Sequence, residues 1–360
     1  MSFMHIVVGL SGGVDSAIAA YLLKKDGHKV DAIFMKNWEE DDSEEHCSAA
    51  QDLEDAELVC EKLGLSLRAV NFSTEYWDYV FEYFLAEHKA GRTPNPDILC
   101  NTEIKFKAFL DYATELGAEK IATGHYARLS EHNNNFQLLM ATDTNKDQSY
   151  FLHGLNQQQL SHSMFPLGNL TKPQVRQLAQ ELNLTVADKK DSTGICFIGE
   201  RKFRDFLMNY LEDIQGDILD TEGNILGKHQ GVTFFTIGQR QGLGIGGLAN
   251  SNDEPWYVVD KNMKRNELIV AQGNEHPYLF NSSLMLENMH WIDKQVSSPT
   301  SVTAKIRYRQ APQPCKINLI NDHNHQLDFD TPQRAVTPGQ YAVLYDGEVC
   351  LGGGIIQQRL

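Results

Sequence analysis

Residues 5–23 read HIVVGLSGGVDSAIAAYLL, and this stretch decides the fold of the first part of the chain. A short apolar run at positions 5–9 predicts a buried strand, and the run from Ala17 has the apolar spacing of an amphipathic helix. The glycine-rich loop between them has the layout of a phosphate-binding loop, yet it contains no lysine to contact a γ-phosphate. The stretch therefore predicts an α/β nucleotide-binding domain with an unusual phosphate loop.

The residues of the loop GLSGGVDS suit a phosphate cradle. Gly12 and Gly13 allow a tight turn and bring main-chain amides close to an anion. Ser11 and Ser16 add hydroxyl donors, and the following helix directs its positive end to the same place. Asp15 would repel a phosphate directly, so we expect it to cap the helix or to reach a Mg²⁺ ion.

The order of strand-like and helix-like runs indicates the type of sheet. Further strand-like runs in the first half are separated by helix-like runs, and these strands are KVDAIFM, SLRAVNF and KIATGHYARL. This alternation predicts parallel pairing in a doubly wound sheet. From about Gly216, turn residues divide short strand-like runs such as GVTFFTIG, WYVVDKN and ELIVAQG, and a β-rich block continues from about Ser282. That pattern favours small barrels or sandwiches.

Composition limits the classes of partner and compartment. The 360 residues include 32 basic and 48 acidic side chains, and the formal charge of −16 argues against a general polyanion binder. The start MSFMHIVVGL lacks the features of a secretory signal, and no apolar run is long enough to cross a membrane. We therefore expect a cytoplasmic protein without membrane partners. The six cysteines show no CxxC spacing, which predicts reduced thiols that are mostly core residues.

The loop pattern SGGxDS at positions 11–16 resembles that of the PP-loop ATP pyrophosphatases. The resemblance implies that ATP is cut between its α- and β-phosphates and that a carbonyl oxygen becomes adenylated. The missing lysine fits this chemistry, because no γ-phosphoryl group has to be transferred. Several kinds of enzyme share the loop, so the loop alone predicts only the first half of a reaction.

Two cysteine-containing stretches narrow the choice. Cys100 lies in GRTPNPDILCNTEIKF, three residues after Asp97, and Cys196 lies in the polar stretch DSTGICFIG. A cysteine in a polar loop ionises more readily than one in an apolar strand, and the nearby Lys189 and Lys190 would lower the pKa of Cys196 further. Each cysteine taken alone is more often structural than catalytic, so the pair gains meaning only together with the phosphate loop.

With the loop, these stretches closely resemble the bacterial tRNA-specific 2-thiouridylases. The match runs nearly from end to end and includes MKNW, ATGHYA, KDQSYFL, FTIGQRQGLG and IRYR. The resemblance implies an α/β fold with a doubly wound PP-loop nucleotide-binding domain at residues 1–205, which carries both cysteines. A small β-rich central domain at residues 206–281 and a C-terminal β-barrel at residues 282–360 that contacts tRNA are implied to follow.

The implied reaction is the ATP-dependent 2-thiolation of the wobble uridine, position 34, of tRNA. ATP and Mg²⁺ would serve the adenylation, and sulfur would arrive as a persulfide on Cys196. Cys100 would be the second catalytic thiol: either it releases sulfide from the persulfide, or it resolves the persulfide after attack on the base. Asp97 would move protons or hold the uracil edge, with Asn95 and Pro96 beside the flipped base.

The resemblance also assigns binding residues and partners. The implied partners are tRNAs for Lys, Glu and Gln and a cysteine desulfurase or sulfur-relay protein, and no resident metal site is expected. The residues implied in ATP binding are Gly9, Leu10, Ser11, Gly12, Gly13, Val14, Asp15, Ser16, Met35 and Gly124. The residues implied in tRNA binding are Asn95, Pro96, Asp97, His125, Lys146, Asp147, Gln148, Arg307, Tyr308, Arg309 and Gln340.

Three alternative classes differ in features that the sequence displays. A PP-loop amidotransferase would need an ammonia source, and no segment resembles a glutaminase. A thiolase with zinc or an iron–sulfur cluster would be expected to carry CxxC pairs, and none is present. A cluster held by Cys100, Cys196 and a third ligand such as Asp97 stays conceivable. A non-enzymatic RNA-binding module would have basic clusters such as KIRYR but no use for the phosphate loop.

Overall fold

The computed structural model of the protein describes residues 3–39, 48–132, 135–191, 203–212, 214–245, 254–321 and 323–360. Residues 40–47, which include Cys47, and residues 192–202, which include Cys196, lie outside the described ranges. Within those ranges, the chain forms a parallel sheet flanked by helices, a four-stranded sheet and a barrel. No described helix is both long and apolar enough to span a bilayer.

The parallel sheet contains five strands in the order β3-β2-β1-β4-β7, and the parallel pairing that the alternation of runs predicts is confirmed. Every pairing within it is parallel. Its strands are β1 (His5–Gly9), β2 (Lys29–Lys36), β3 (Ser66–Asn71), β4 (Lys120–Ala122) and β7 (Ser163–Met164). Ile6 and Val8 face one hydrophobic core and Val7 faces another, so both faces of the sheet are covered.

Helices on the two faces of this sheet supply the rest of both cores. The helices are α1 (Val14–Lys25), α2 (Ser48–Leu63), α3 (Ser73–Tyr76), α4 (Glu82–Lys89), α5 (Pro96–Leu99), α6 (Phe109–Glu115), α7 (Ser149–Leu152), α8 (Gln157–Ser161), α9 (Lys172–Glu181) and α10 (Phe203–Leu207). Two π-helical segments, Trp77–Phe81 and Cys100–Ala108, join α3 to α4 and α5 to α6. Cys100 is therefore the first residue of a widened helical segment, a feature that often marks functional sites.

The predicted fourth strand, KIATGHYARL, is wrong as a single element. Only Lys120–Ala122 joins the parallel sheet, and Arg128–His132 (β5) forms an antiparallel hairpin with Asn135–Leu139 (β6). The break falls at Gly124, where a Cβ atom would lie 2.7 Å from the amide nitrogen of Ser16. The chain leaves the sheet at the point where it passes against the phosphate loop.

The central β-rich part is a four-stranded sheet in the order β10-β11-β8-β9. Its strands are β8 (Gln215–Leu219), β9 (Ile225–Gln230), β10 (Trp256–Asn262) and β11 (Glu267–Gln272). The run GVTFFTIG contains a short 3₁₀-helix, Val232–Phe234, instead of a strand. Gly231 precedes it with φ of +98°, a conformation that ends the strand before this turn.

The C-terminal block closes into a barrel. Its strands are β12 (Phe280–Trp291), β13 (Thr300–Lys305), β14 (Gln313–Leu319), β15 (Asn324–Arg334), β16 (Tyr341–Asp346) and β17 (Val349–Arg359). They pair in the order β12-β15-β14-β13-β16-β17, and pairing of β12 with β17 closes the ring. The hairpin β5–β6 continues this sheet, because Leu138 and Leu139 pair with Cys350 and Val349. The predicted fold class is confirmed, and its exact domain boundaries stay a prediction.

A buried ion pair joins the first part of the chain to the barrel. The side chains of Asp147 and Lys305 are 1% and 4% exposed, and Lys305 Nζ lies 3.0 Å from Asp147 Oδ2. Asp147 Oδ1 also accepts hydrogen bonds from the amides of Ala141 and Ser149. A buried charge pair is costly to break by removal of one partner, because the other charge stays buried without compensation.

We expect Asp147→Asn to lower the free energy of unfolding by about 3–5 kcal/mol, since the buried Lys305 ammonium then lacks a counter-charge. Denaturant unfolding followed by circular dichroism measures the change. The matched control is Glu103→Gln, which breaks an exposed pair with Lys107 and should cost less than about 1 kcal/mol. Equal costs for the two variants would contradict the structural role of the buried pair.

Candidate functional site

The loop at residues 9–16 connects β1 to α1, and hydrogen bonds of Ser11 and Ser16 stabilise its turn. The amide of Ser11 donates to Ser16 Oγ at 3.1 Å, and Ser16 Oγ donates to the carbonyl of Gly13 at 3.1 Å. Gly12 has φ of +71°, and a Cβ atom there would lie 2.2 Å from the carbonyl oxygen of Asp52. A larger residue cannot occupy position 12 without moving α2, so the loop requires glycine at this point.

Met35 and Gly124 flank the loop on the two sides of β1, as expected for a nucleotide site. A Cβ atom on Gly9 would lie 3.1 Å from Met35 Cε, and Gly124 packs against the main chain of Asp15 and Ser16. Since β1 pairs with β2 on one side and with β4 on the other, the loop lies at the topological switch point of the sheet. Ligands of open α/β sheets bind at this point.

The phosphate loop contains no lysine, but a lysine from a helix far along the chain contacts it. Lys172, the first residue of α9, places Nζ 2.7 and 2.8 Å from the two carboxylate oxygens of Asp15. The Lys172 side chain is only 9% exposed, and it also lies 2.7 Å from Asp191. The hydroxyl of Tyr126 donates to Asp15 at 2.9 Å. Asp15 thus does not cap α1, whose N-cap is Gly13.

A second lysine reaches the loop from the same part of the chain. Lys189 Nζ donates to the carbonyl of Gly12 at 3.1 Å and lies 2.7 Å from Asp52 and 2.5 Å from Asp55. The sequence predicts that Lys189 lowers the pKa of Cys196. In the structure two carboxylates of α2 balance its charge. Lys189 therefore holds the phosphate loop to α2.

Asp191 links Lys172 to a residue of the predicted tRNA-binding set. It pairs with Lys146 at 2.5 Å, with Lys172 at 2.7 Å and with Arg176 at 3.1 Å. Burial alone would raise the pKa of Asp191, but hydrogen bonds from Lys146 and Lys172 outweigh burial and lower the pKa to about 2. Asp191 is therefore ionised at neutral pH and holds both lysines.

Asp97 and Cys100 lie one helical turn apart near the start of the helical run at residues 96–115. Asn95 caps that run, since its Oδ1 accepts the amide hydrogen of Asp97 at 3.2 Å, and Pro96 occupies the first helical position. Asp97 is half-buried, whereas Cys100 is fully buried. Farther along the same run, Phe109 packs against Gly9 of the phosphate loop. The predicted catalytic helix and the predicted ATP loop thus belong to one packed unit.

The other described cysteines are core thiols, as the sequence predicts. Cys60, Cys315 and Cys350 are buried, and desolvation raises the pKa of each thiol, to about 11 for Cys60 and about 12 for Cys315. Such thiols are protonated at neutral pH and are poor nucleophiles. The predicted persulfide carrier, Cys196, lies outside the described residues, so its distance from Cys100 stays a prediction.

The predicted tRNA-binding residues fall into two groups. Arg307 and Arg309 are exposed, and Tyr308 between them packs on Phe151 with ring centroids 4.5 Å apart and donates to the Lys146 carbonyl at 3.4 Å. Asp147 is instead buried against Lys305. Only its main chain could meet RNA without breaking that pair. This surface therefore offers cations and a partly buried ring, and its contact with tRNA stays a prediction.

Three further members of that set have internal partners. Gln148 Oε1 accepts the amide hydrogen of Tyr126 at 2.9 Å, and Gln340 Nε2 donates to the Thr93 carbonyl at 2.7 Å. His125 Nδ1 lies 2.7 Å from Thr123 Oγ1. Burial and then the charge of Lys105 hold the pKa of His125 well below its usual value, so the ring is neutral. A neutral ring at the end of β4 can stack or hydrogen-bond but cannot neutralise a phosphate.

Three family models together cover most of the chain. Residues 4–200 match the tRNA methyl transferase HUP domain, residues 204–272 the tRNA methyl transferase PRC-barrel domain, and residues 281–356 the aminomethyltransferase beta-barrel domain. Loop, strand order and barrel define a PP-loop nucleotide-binding domain joined to two β-rich units.

Curated relatives identify the family within that class. A tRNA-specific 2-thiouridylase MnmA from Salmonella arizonae is 59% identical over 99% of this chain and 97% of its own length. Proteins of the same name from Salmonella typhimurium and Yersinia pestis are 58% identical, over 99% and 98% of this chain and 97% and 96% of their own lengths. The chain belongs to the tRNA-specific 2-thiouridylase family.

Solved structures resemble only part of the chain. An NMN synthetase from Francisella tularensis aligns with a TM-score of 0.33 and 20% identity, over 57% of this chain and 77% of its own. A 4-thiouridine synthetase in complex with RNA and bound ATP aligns with a TM-score of 0.34 and 15% identity, over 57% and 50%.

We expect Lys172→Ala to weaken binding of a non-hydrolysable ATP analogue by roughly 10- to 100-fold, because the cation that balances Asp15 in the phosphate loop is lost and a hydrogen bond to a charged group contributes about 1.5–3 kcal/mol. The loss also leaves the Asp15 carboxylate uncompensated beside the phosphates. Calorimetric titration measures the affinity, and Lys172→Arg should recover part of it. The control is Lys107→Ala, because Lys107 is an exposed lysine that pairs with Glu103. An unchanged affinity in Lys172→Ala would remove Lys172 from the nucleotide site.

Proposed function

We propose that the protein replaces the oxygen at carbon 2 of the wobble uridine, position 34, of tRNA by sulfur, at the expense of ATP. The observation that carries this proposal is the match of 98–99% of the chain to proteins named tRNA-specific 2-thiouridylase. The phosphate loop at the switch point and the helix with Asp97 and Cys100 supply two of the functions that such a reaction requires.

The first step is adenylation of the uracil carbonyl oxygen. A carbonyl oxygen is a poor leaving group, so the oxygen attacks the α-phosphate of ATP and pyrophosphate leaves. The amides of Gly12 and Gly13 and the start of α1 favour the anionic phosphates, and Lys172 adds a cation at the same loop. Asp15 is the carboxylate within the loop and fits a Mg²⁺ that enters with ATP, provided that Lys172 moves off it.

The second step forms the carbon–sulfur bond. The terminal sulfur of a persulfide on Cys196 attacks carbon 2, and AMP leaves with the former carbonyl oxygen. The Cys100 thiolate then attacks the Cys196 sulfur, which leaves the transferred sulfur on uracil and forms a disulfide that a cellular thiol reduces. Alternatively, Cys100 first releases sulfide from the persulfide, and sulfide attacks carbon 2. The base must leave the anticodon stack to reach the protein, and Cys100, which is fully buried, must become accessible before its thiolate can act.

Asp97 is suited to hold or deprotonate the uracil edge. It precedes Cys100 by one turn and stays half-exposed at the open end of the helix. Asn95 and Pro96 fix the start of this helix, so they would place Asp97 beside the flipped base. The tRNA body would meet Arg307, Tyr308 and Arg309, where an aromatic ring between two exposed arginines can stack on an unpaired base.

The remaining predicted partners belong to the same proposal. A cysteine desulfurase or a sulfur-relay protein would deliver sulfur to Cys196, and tRNAs for Lys, Glu and Gln would be the acceptors. The division into a catalytic domain at residues 1–205, a central domain at residues 206–281 and a tRNA-contacting barrel at residues 282–360 is likewise proposed.

The names of the matching family models suggest a second reaction, methyl transfer to tRNA. A methyltransferase takes its methyl group from a donor such as S-adenosylmethionine and needs no ATP cleavage. Mass spectrometry of tRNA nucleosides distinguishes the two reactions after parallel incubations of the enzyme, one with ATP and a sulfur donor and one with S-adenosylmethionine and no ATP. A 2-thiouridine product supports the proposal, and a methylated nucleoside formed without ATP would replace it.

We expect Cys100→Ser to accept labelled sulfur from a desulfurase but to make no 2-thiouridine, because the second thiol is missing. Cys196→Ser should accept no label and make no product. Transfer of radiolabelled sulfur, followed by gel analysis of protein and tRNA, measures both steps. Cys60→Ser serves as the control, since that thiol lies in a core and its pKa is raised to about 11. Full activity in either of the first two variants would rule out the two-cysteine mechanism.

We expect Arg309→Ala to weaken tRNA binding and to reduce the slope of log K against log salt by about 0.7–0.9, since one fewer counterion is released. Filter binding over a range of KCl concentrations measures the slope. Arg265→Ala is the control, because this exposed arginine lies in the turn between β10 and β11 of the central sheet and pairs with Glu267. A slope identical to that of the unchanged protein would exclude Arg309 from the phosphate contacts.

A further inference from the structure

The segment just before the catalytic helix is held by the barrel. The amide of Thr93 donates to the carbonyl of Pro338 at 2.9 Å. The side-chain amide of Gln340 donates to the carbonyls of Thr93 at 2.7 Å and Pro94 at 3.3 Å. Two residues after Thr93, Asn95 caps the helix that carries Asp97 and Cys100.

The two segments touch through their main chains. Gly339 has φ of +92°, and a Cβ atom there would lie 2.8 Å from the amide nitrogen of Thr93 and 2.9 Å from Arg92 Cβ. A side chain at position 339 would push the segments apart. The barrel loop, residues 337–340, is thus in direct main-chain contact with residues 92–94.

The barrel loop itself is fixed to the barrel wall. Gly339 donates to the carbonyl of Ile356 at 2.9 Å, and Ile356 donates to the carbonyl of Gln340 at 2.7 Å. Gln340 also donates its own amide hydrogen to Thr337 at 3.2 Å. The side chain of Gln340 therefore extends from a base that β17 holds in place.

The central β-rich part contributes a third support. Thr93 Oγ1 lies 3.2 Å from Thr236 Oγ1, which follows the 3₁₀-helix of that part. Arg92 forms a forked pair with Glu87 of α4, a residue that is only 6% exposed. Thr93 is thus the residue at which all three parts of the fold meet.

We propose that Gln340 is a positioning residue that holds residues 93–95, and through them Asp97 and Cys100, in the geometry needed for sulfur transfer. The amide nitrogen of its side chain donates to main-chain carbonyls, which leaves Oε1 as the side-chain atom for the tRNA contact that the sequence resemblance assigns to it. This inference rests on the proposed function, because it concerns the same catalytic helix. A shift of about 1 Å in reacting groups can cost about 100-fold in rate.

The test compares Gln340→Met, which keeps the length of the side chain but removes its donors, with the unchanged protein. We expect single-turnover thiolation at saturating tRNA to fall at least tenfold, with the Kd for tRNA changed less than twofold. Thr236→Val should also lower the thiolation rate, but by a smaller factor than Gln340→Met. Gln357→Met is the matched control, since Gln357 is an exposed barrel glutamine paired with Glu287, and it should change neither quantity.

A second readout is independent of turnover. Alkylation of Cys100 by iodoacetamide, followed by mass spectrometry of its peptide, should be faster in Gln340→Met than in Gln357→Met, because the cap of the helix is loosened. A raised Kd for tRNA with an unchanged rate and unchanged alkylation would make Gln340 a tRNA contact and overturn the positioning role. If the unchanged protein makes no 2-thiouridine, the proposed function fails, whereas the alkylation result still decides the positioning role.

Discussion

The phosphate loop depends on a buried cation that its own sequence lacks. Lys172 lies between Asp15 in the loop and Asp191 beyond α9, with its side chain only 9% exposed. An ammonium in such a position needs both carboxylates, because an uncompensated buried charge costs several kcal/mol. Lys172 therefore fixes α9 against the loop before any nucleotide binds. Once ATP is bound, its ammonium group can contact either Asp15 or a phosphate.

This arrangement changes how the loop can treat a phosphate. A lysine within the loop, as in a P-loop, follows the terminal phosphate that is transferred. Lys172 comes from a separate helix and approaches at Asp15, near the start of α1. Lys189 contacts the loop at Gly12 from the side of α2. The two lysines contact the loop from two sides, and each is paired with carboxylates of the protein, so together they fix the position of the loop.

Local patterns in the sequence predict the parallel sheet, the phosphate loop and the core cysteines, because each depends on spacing within a few residues. The hairpin β5–β6 could not be predicted from its own residues, since its place is set by pairing with β17 at the other end of the chain. No local pattern marks Lys172 as a partner of the phosphate loop, and the resemblance implies a tRNA contact for Gln340. Their tasks depend on partners 157 and 247 positions away, and no local spacing encodes such a distance.

Internal pairing of cations also bears on how an acidic protein can select an RNA. Lys146, Lys172, Arg176, Lys189 and Lys305 all contact aspartates inside the fold, and the formal charge is −16. Phosphate contacts made by mobile lysines give sequence-independent affinity that falls steeply with salt. With these cations engaged, general attraction for nucleic acid is weakened, and shape and contacts to unstacked bases gain weight beside the exposed Arg307 and Arg309. The proposed anticodon substrate offers both, since its wobble base can leave the stack and enter the buried site of Cys100.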